Sequence, residues 1–421
     1  YMDIDLPQNE YTNVRNDEFT REQHLDRIAD DLLDAADDLP DSQSEAGRMN
    51  RRIALAYAAK VKLYRAYEED PQTNKVVNIN KAVLQEVVDI INSIQGYDLL
   101  ADFQQLDLLE YENGPESVMA IQFSKDDGSS GVGRINWSNL LNSMTGPGCP
   151  WQGDGFFLPS QDLINAYQTD ENGLPMFDYQ SHDDYGKVNI NADGSYYLSN
   201  VSGNVDPRLD FVTGRPTIRY KTYTASPCGL WVRNADAYGY NNTKRFWLSP
   251  ESPEATQGWP WGASALNWQI IRYADLLLYK AEALIEIGGN GLEEARTIIN
   301  RIRSRAMNSS YVKDFNDPSK YAANYKIGLY PAEGWNQDYA RKALRMEMRL
   351  EKAMEGERFF DLVRWGIAQE TMNKYYECEK DNRIYYQNAK FETGREYFPV
   401  PVAQYNFSGG KYVQNPSYPA F

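Results

Sequence analysis

The amino-acid sequence predicts a mainly α-helical fold, in which paired helices form a scaffold that carries a large loop-rich, ligand-binding insertion. Apolar residues recur with helical spacing in a block near each end of the chain. Between these blocks, residues 112–266 lose the helical period and are rich in Gly, Pro, Asn, Ser, Trp and Tyr. Such a long irregular stretch in a helical protein usually has a function. We therefore divide the chain into an N-terminal helical part (1–111), a loop-rich ligand-binding region (112–266) and a C-terminal helical part (267–421).

The N-terminal part contains three predicted amphipathic helices, at residues 21–39, 51–67 and 80–94. Each has apolar side chains at intervals of three and four residues, which places them on one helix face. Pro40 stops the first helix, and Asn78 or Asn80 caps the third one. In the second helix, alanines leave room for the close approach of a neighbour.

The C-terminal part has a predicted helix that begins at Trp268 and ends at Gly288 and Gly289, with a partner helix at residues 291–305. A further helix starts at Gln337. Alanines at the expected crossings make these pairs similar to the helix-turn-helix units of tetratricopeptide repeats, although no regular period is visible. The predicted scaffold is therefore a degenerate, tetratricopeptide-like array of helical pairs.

The loop-rich region contains a predicted strand at residues 117–123, a short helix at 160–167 and six of the nine tryptophans of the chain. Aromatic residues make up 13 % of the sequence, which is more ring surface than a core alone requires. Flat rings with polar edges suit sugars and peptides as ligands. The composition of this region therefore indicates a binding function.

Charge and composition disfavour several classes of function. A formal net charge of −17 argues against nucleic acid and anionic lipid as partners, because binding to phosphates needs clustered positive charge. Cys149, Cys228 and Cys378 are too few and too widely spaced for a disulfide framework or a Cys-x-x-Cys metal site. His24 and His182 are the only histidines, so chemistry based on this residue has little to work with. No stretch reaches the roughly 18 apolar residues of a transmembrane helix.

The segment MEGERFFDLVRWG, residues 354–366, gathers acids, arginines and rings. On a helix from Gln337 onward, like charges align at every fourth residue, in an acidic stripe (Glu347, Glu351, Glu355) and a basic one (Arg341, Arg345, Arg349). Such alignment destabilises an isolated helix, so each stripe needs opposite charge from a neighbouring element. One interpretation makes Glu355 and Asp361 the general acid and base of a glycosidase. We favour the other one, ion pairs between helices, because nothing nearby supplies a nucleophile.

A longer stretch around this segment, RMEMRLEKAMEGERFFDLVRWG, resembles the C-terminal hallmark of the SusD/RagB family of outer-membrane lipoproteins of Bacteroidetes, which bind glycans or peptides. Other motifs resemble the family in the family's own order over nearly the whole chain: GRMNRRIALAYAAKVKLYRAY, LINAYQTDENGLP, VDPRLDFVTGR, NWQIIRYADLLLYKAEAL, and the tail FPVPVAQYN with YVQNPSY. The resemblance implies a protein without catalytic activity, in which Glu355 and Asp361 belong to the scaffold.

The resemblance also implies partners and a location. Members of the family capture a nutrient at the cell surface and deliver it to a SusC-like TonB-dependent transporter, over which they close like a lid. They normally begin with a signal peptide, a lipid-bearing cysteine and a first helical pair, whereas this sequence begins inside the domain, at a segment without a signal-peptide pattern. The family therefore implies a place on the extracellular face of the outer membrane, through an N-terminal lipid anchor that this chain does not contain.

The ligand-binding residues are predicted mainly within residues 228–262, where rings that stack on sugars mix with side chains that bind hydroxyl groups. The candidates in this stretch are Trp231, Trp247, Trp259, Trp261, Tyr238, Tyr240, Arg233, Asn234 and Asp236. The Trp-Pro-Trp sequence at 259–261 holds two of the rings on a stiffened backbone. Trp137, Trp151 and Tyr325 are candidates of second rank. The alternative is that several of these rings only cover the helical scaffold.

No cofactor is predicted, and calcium is the weaker alternative. The sequence NINADG at residues 189–194 partly fits the spacing of a calcium loop. Its first position is Asn189 instead of an aspartate, its twelfth is Asn200 instead of a glutamate, and an Asx-rich turn explains the same residues.

Three functions follow from these patterns. The leading hypothesis is a non-enzymatic surface receptor that binds an oligosaccharide or polysaccharide and serves glycan uptake. The alternative keeps the scaffold and makes the ligand a peptide, as the RagB branch of the family suggests. A remote alternative is a glycoside hydrolase that uses two of the carboxylates.

Overall fold

The computed structural model describes residues 6–129, 131–142, 144–145, 149, 151–222, 231–249 and 251–421. Cys228 and residues 228–230 of the predicted binding stretch lie outside the described residues. The helices are α1 (Arg21–Asp38), α2 (Arg51–Ala66), α3 (Lys81–Ser93), α4 (Ser138–Asn142), α5 (Gln161–Ala166), α6 (Arg208–Val212), α7 (Ala235–Tyr238), α8 (Tyr273–Ile287), α9 (Gly291–Met307), α10 (Gln337–Glu351), α11 (Arg358–Arg364), α12 (Ala368–Glu379) and α13 (Val402–Phe407).

The strands are short and pair two by two. They are β1 (Tyr67–Glu69), β2 (Val76–Ile79), β3 (Ser117–Ile121), β4 (Gln168–Thr169), β5 (Lys187–Ile190), β6 (Tyr196–Ser199), β7 (Asn204–Val205), β8 (Thr213–Gly214), β9 (Asn242–Thr243) and β10 (Trp268–Arg272). In the described part of the chain, they form the antiparallel pairs β1–β2, β3–β10, β4–β7, β5–β6 and β8–β9. The prediction of a mainly α-helical fold is confirmed.

The long helices pack in pairs around one hydrophobic core. Helix α1 contacts α2, α2 contacts α3, α3 contacts α8, and α8 contacts α9, while α10 lies against both α8 and α9. Buried side chains of all these elements meet in a single cluster, which includes Leu84, Leu278, Ile299 and Leu344. The N-terminal and C-terminal helical parts of the chain therefore share one core, and the loop-rich region between them is carried on a common scaffold.

Polar caps fix where several of the helices begin and end. The hydroxyl of Thr20 accepts a hydrogen bond from Gln23 N, and the Gln23 side chain accepts one from Thr20 N, which is a capping box. The Asn80 side chain accepts from the first amides of α3, so Asn80 is the predicted cap. Gly288 ends α8 at a φ of +82°, as the glycine pair predicted.

The predicted start of α8 is wrong by five residues. Residues from Trp268 to Arg272 form strand β10, which pairs with β3, the strand predicted around residues 117–123. The helix begins only at Tyr273, where the Asp275 side chain accepts a hydrogen bond from Arg272 N. Aromatic and β-branched side chains favour a strand once a partner strand is present, and that partner lies far away in the sequence.

The helix that carries the acidic stripe ends at Glu351, so Glu355 does not extend it as predicted. Met354 and Gly356 have φ values of +65° and +88°, which a helix does not allow. Glu355 therefore lies in the turn between α10 and α11. From this turn the Glu355 carboxylate still binds Arg245 and Arg272, and Arg272 also binds Glu351 of the acidic stripe.

Both charge stripes find opposite charge on other elements, as predicted, with the exception of Arg345. Glu347 binds Arg208 (2.6 Å) and Arg303 (3.0 Å), and Glu351 binds Arg208 (3.0 Å), Arg272 (2.8 Å) and Arg305. Glu355 binds Arg245 (2.7 Å) and Arg272 (3.1 Å).

In the basic stripe, Arg341 binds Glu286 (2.7 Å), Arg349 binds Asp162 (2.5 Å), and Arg345 lies over the ring of Trp365. The segment that gathers acids and arginines is thus part of a buried ion-pair network.

Two further results concern membranes and metals. In the ranges given above, we find no helix with both the length and the apolar character to cross a lipid bilayer. The same ranges hold no group of three or more His, Cys, Asp and Glu side chains placed to bind a metal ion. The NINADG segment forms the end of β5 and the turn before β6, where Asp193 Oδ1 accepts hydrogen bonds from Ser195 N and Oγ. Calcium binding by this turn stays a prediction.

Candidate functional site

Three of the predicted ligand-binding tryptophans form the interior of the loop-rich region. Trp151, Trp231 and Trp247 are no more than 2 % exposed, and they pack with Tyr220 and Met144 in one cluster, which we call the tryptophan cluster. The ring centroids of Trp151 and Trp247 are 4.8 Å apart. Because these rings cover one another, they offer no face to a sugar. We correct the interpretation of these three residues: they pack the loop-rich region from within.

The loop of residues 256–263 is anchored on this cluster. Trp261 is partly buried against it. Gly262 approaches so closely that a Cβ atom built there would lie 2.6 Å from the ring of Trp247. Across the loop, Thr256 N donates to Ala263 O at 2.8 Å. The loop therefore has a fixed base.

Trp259 stands at the other side of this loop and is 69 % exposed. It borders an open groove of about 690 Å³, which we call the Trp259 groove. The groove is also lined by the polar side chains of Lys125, Glu251 and Gln257, of which the Lys125 ammonium donates to Pro253 O. An exposed ring beside polar side chains is an arrangement that can bind the apolar face and the hydroxyl groups of a sugar.

A second exposed aromatic surface lies on a neighbouring segment. Trp137 is 50 % exposed, and Leu141 and Phe156 are each 53 % exposed. Phe156 N donates to Leu141 O at 3.0 Å, so these two side chains leave the backbone at adjacent points. Asn136 N donates to Ser264 O at 2.9 Å, which ties this segment to the end of the Trp259 loop. Trp137 thus remains a candidate, and Phe156 joins it.

Tyr238, Tyr240 and Asp236 line a separate opening of about 260 Å³, which we call the tyrosine cleft. It lies between α7 and the C-terminal end of α12, whose last residue, Glu379, forms part of the wall. Tyr238 packs on Tyr385 with ring centroids 5.8 Å apart. The described part of the predicted binding stretch, residues 231–249 and 251–262, therefore contributes to the Trp259 groove, the tyrosine cleft and the buried tryptophan cluster.

Glu379 has an unusual environment in the wall of the tyrosine cleft. Its Oε1 atom accepts a hydrogen bond from Asp162 N at the start of α5. Burial raises the pKa of Glu379 to about 7; the Asp162 amide and Arg383 counteract this shift, while the carboxylates of Asp162 and Asp184 add to it. The charge of this carboxylate therefore changes near neutral pH.

The remaining predicted site residues have local roles. Arg233 is exposed and pairs with Asp154 at 2.9 Å. The Asn234 side chain caps the short helix α7 by accepting from Ala237 N. Tyr325 donates its hydroxyl hydrogen to Asp210 Oδ2 at 2.7 Å and packs on Tyr311, so its polar end is already satisfied. These contacts do not bring the three residues into either opening, and a ligand-binding role for them stays a prediction.

Sequence reasoning missed Glu379, Arg383 and Phe156. Glu379 and Arg383 reach the tyrosine cleft from a helix that lies far from Tyr238 in the chain, and no local pattern joins them. Phe156 could have been predicted from the sequence, since it lies in the same Gly- and Trp-rich segment as Trp151.

Glu355 and Asp361, the general acid and base of the glycosidase interpretation, both form ion pairs with arginines. Burial raises the pKa of Glu355, but Arg272 and Arg245 outweigh this effect and lower it to about 2. Asp361 lies 2.9 Å from Arg364, and its pKa is raised by burial. The two carboxyl groups of a glycosidase typically have pKa values shifted in opposite directions, as these two residues do. However, the Glu355 and Asp361 side chains are only 10 % and 3 % exposed, so a sugar does not reach them.

The fold and the openings together define a class: a tetratricopeptide-like helical scaffold with long, ring-bearing loops. The chain belongs to the SusD family, whose sequence profile it matches over residues 115–418. SusD-like protein P2 of Formosa agariphila is 25 % identical over 395 residues, which cover 93 % of this chain and 64 % of that relative. The chain therefore spans a little less than two thirds of the length of this curated relative.

Solved structures of the same superfamily share the fold. A SusD superfamily protein from Bacteroides vulgatus has a TM-score of 0.58 and 19 % identity, over 93 % of this chain and 67 % of that one. Surface glycan-binding protein A from Bacteroides uniformis has a TM-score of 0.57 and 16 % identity, over 95 % of this chain and 70 % of that one. At such identities the likeness establishes the fold alone.

Proposed function

We propose that this protein captures glycan outside the cell without cleaving it and delivers oligosaccharide to a SusC-like TonB-dependent transporter. The observation that carries the proposal is Trp259, a ring 69 % exposed at the edge of an open groove with both polar and apolar walls. Membership of the SusD family supports it, as does a fold shared with a surface glycan-binding protein. In this proposal the protein lies on the extracellular face of the outer membrane and is held there by a lipid anchor.

The geometry of the groove fits capture of a polymer. An exposed ring contributes about 1 kcal/mol beyond the burial of its surface, and an open groove leaves most of a sugar chain in water. Binding is therefore expected in the micromolar to millimolar range unless a transporter closes over the ligand. Weak binding also allows release, which delivery to a transporter requires.

Capture without hydrolysis is supported by the state of the carboxylates. Glu355 binds two arginines and Asp361 binds one, inside the ion-pair network of the scaffold. A general acid needs an oxygen within reach of the glycosidic bond, and these buried side chains do not provide one.

Affinity electrophoresis of the chain in gels that contain single neutral polysaccharides tests the proposal. We expect retardation by at least one of them, and no reducing ends released when the same polysaccharide is incubated with the protein. No retardation by any neutral polysaccharide, together with mixed peptides eluted from the purified protein and identified by mass spectrometry, would favour the peptide alternative. Release of sugar that is lost in Glu355→Gln and Asp361→Asn would establish the hydrolase instead.

A further inference from the structure

An opening of about 630 Å³ is lined by residues from four separate segments of the chain, and we call it the basic cleft. It shares no lining residue with the Trp259 groove. The charged side chains of its lining are four basic ones, Arg219, Lys221, Lys244 and Lys313, and two acidic ones, Asp102 and Asp107. Because the whole chain has a net charge of −17, this surplus of basic groups runs against the average charge of the molecule.

The two acids of the basic cleft are already bound by the protein. Asp107 Oδ2 accepts a hydrogen bond from Arg245 Nε at 3.0 Å, and Arg245 is buried and does not line the cleft. Asp102 accepts from Gln104 N at 2.9 Å and from Ser310 N at 2.8 Å. The acceptors of these carboxylates are therefore used by groups other than the four cations of the lining.

Two of the four cations are lysines with little compensating charge. Lys221 is partly exposed, and its Nζ atom lies 3.9 Å from Asp107 Oδ2, beyond hydrogen-bonding range. Lys244 is buried and donates to Asp210 O at 2.7 Å. Burial lowers the pKa of Lys221 and lowers that of Lys244 to about 7. An anion in the cleft would therefore be attracted by charges that the protein itself does not balance.

The other two cations lie over aromatic rings. The Arg219 guanidinium lies 5.2 Å from the ring centroid of Phe315, and the Lys313 ammonium lies 3.8 Å from that of Tyr321. Arg219 is partly exposed and Lys313 is exposed, and within the described ranges neither has a carboxylate oxygen within 4 Å. Residues 223–230, which lie outside those ranges, include no Asp or Glu. The N–H groups of both side chains are thus available to a ligand.

Two tyrosine rings accompany these cations in the lining of the basic cleft. Tyr111 is 38 % exposed, and Tyr311 is partly exposed. Rings of this kind can cover the apolar face of a sugar, as proposed for Trp259. The cleft therefore combines surfaces for a sugar ring with donors for an anionic group.

We infer that the basic cleft binds an acidic sugar, one that carries a carboxylate or a sulfate group. The guanidinium and ammonium groups of Arg219, Lys221 and Lys313 form charge-assisted hydrogen bonds with such oxygens, whereas a neutral sugar offers no charge to them. The inference rests on the proposed function only in taking the ligand to be a sugar. It adds a second site, and it makes the captured glycan an anionic one.

Calorimetric titration of the intact chain with two matched pairs of oligosaccharides tests the inference. The pairs are trigalacturonate with its methyl ester, which removes the charge, and a sulfated carrageenan tetrasaccharide with its desulfated form. We expect the acidic member of at least one pair to bind tenfold or more tightly, and that pair identifies carboxylate or sulfate as the anionic group. Equal affinities within both pairs would overturn the inference. Inorganic sulfate that binds as tightly as the preferred acidic sugar would also overturn it, because the sugar would then contribute nothing.

Variants locate the preference in the basic cleft. Arg219→Gln and Lys313→Gln should each reduce the preference for the acidic sugar at least threefold, whereas Lys390→Gln, at an exposed lysine outside the cleft, should leave it unchanged. Lys313 is a surface residue, so its variant is expected to fold, and a thermal melt checks this. A preference that survives both cleft variants would contradict the inference.

A variant of the Trp259 groove separates this site from the proposed glycan capture. Trp259→Ala should keep the preference for the acidic sugar, because Trp259 does not line the basic cleft. Retardation by a neutral polysaccharide, together with equal binding of acidic and neutral oligosaccharides, would leave the proposed function standing and refute the acidic-sugar site alone.

Discussion

Glu379 shows how burial, as the largest of several effects, can change the pKa of a carboxyl group. The side chain lies at the end of α12, accepts from the amide of Asp162, and is only 1 % exposed. Burial holds its pKa at about 7, against an ordinary value of 4.5. A folded-state pKa above the unfolded one means that the folded protein binds the proton more tightly. The stabilisation from this proton is complete below pH 4.5 and is lost as the pH rises through 7.

Replacing Glu379 by glutamine removes this loss. The glutamine side chain would keep an oxygen for the Asp162 amide and stay neutral at every pH. We therefore expect the stability of Glu379→Gln, relative to the natural chain, to rise by about 2 to 3 kcal/mol between pH 5 and pH 8. Urea unfolding of both proteins at the two pH values measures this difference. A difference that does not change with pH would contradict the environment described for Glu379.

Trp247 and Trp259 lie in one predicted binding stretch and have opposite environments. Trp247 is 1 % exposed and Trp259 is 69 % exposed. Both are tryptophans among turn-forming residues, so the local composition predicts the same role for both and does not distinguish the buried ring from the exposed one. Their separation depends on Trp151 and Tyr220, which reach Trp247 from distant parts of the chain. The sequence therefore predicted the ring-rich region and could not predict which rings face the solvent.

The loop of residues 256–263 is the element on which the Trp259 groove depends. Gly262 has a φ of +70°, and an added Cβ would meet Trp247 at 2.6 Å and Trp151 at 3.2 Å. Gly258, in the same loop, has no atom within 4 Å of the corresponding position. The base of the loop is therefore tightly packed and its outer part is free.

This contrast gives a matched pair of variants. Gly262→Ala must displace the loop or the tryptophan cluster, so we expect a melting temperature lowered by several degrees and polysaccharide binding weakened at least threefold. Gly258→Ala, where an added Cβ meets no atom within 4 Å, should leave the melting temperature unchanged. Melting curves and affinity electrophoresis measure both effects. Equal behaviour of the two variants would show that the base of the loop is not fixed by the cluster.

The elements themselves were predictable to different degrees. The N-terminal helices, Gly288 as the end of α8 and Asn80 as the cap of α3 follow from local patterns, and the structure has them. The start of α8 and the end of α10 were wrong because a partner strand and a turn at Met354 decide them. Local spacing predicts an element, but its boundaries depend on the contacts that it finds.

At the scale of the whole molecule, buried ion pairs connect the helical scaffold to the loop-rich region. Arg272, at the end of β10, binds Glu116 at 2.8 Å, Glu351 at 2.8 Å and Glu355 at 3.1 Å. Its side chain is 1 % exposed. Removing one member of such a network leaves uncompensated charge in the interior, and the loss of stability is large.

Replacement of Arg272 by methionine tests this network. We expect Arg272→Met to lower the free energy of unfolding by about 3 to 5 kcal/mol, because three glutamates lose their shared partner. The control is Arg48→Met, whose ion pair with Glu45 is 66 % and 64 % exposed and should contribute no more than about 1 kcal/mol. Urea denaturation measures both variants. Losses of equal size would mean that burial of the network adds nothing.

The charge pattern of residues 341–355 anticipated this network from the sequence alone. It required opposite charge on other elements, and Arg208, Arg245, Arg272, Arg303 and Arg305 supply it for the acidic stripe. The need for buried ion pairs between elements was therefore accessible to sequence reasoning. The two openings were not, because residues such as Tyr238 and Glu379 meet only after the chain has folded.

The proposed function depends on the binding of a glycan at the Trp259 groove. Calorimetric titration with an oligosaccharide of the most strongly retarding polysaccharide tests it most directly, in the natural chain, in Trp259→Ala and in Phe398→Ala. Phe398 is 92 % exposed and lies outside the groove, so it is the matched control. We predict a Kd at least tenfold higher for Trp259→Ala, about 1.4 kcal/mol, and no change for Phe398→Ala. An unchanged Kd for Trp259→Ala would mean that the glycan does not bind at the Trp259 groove.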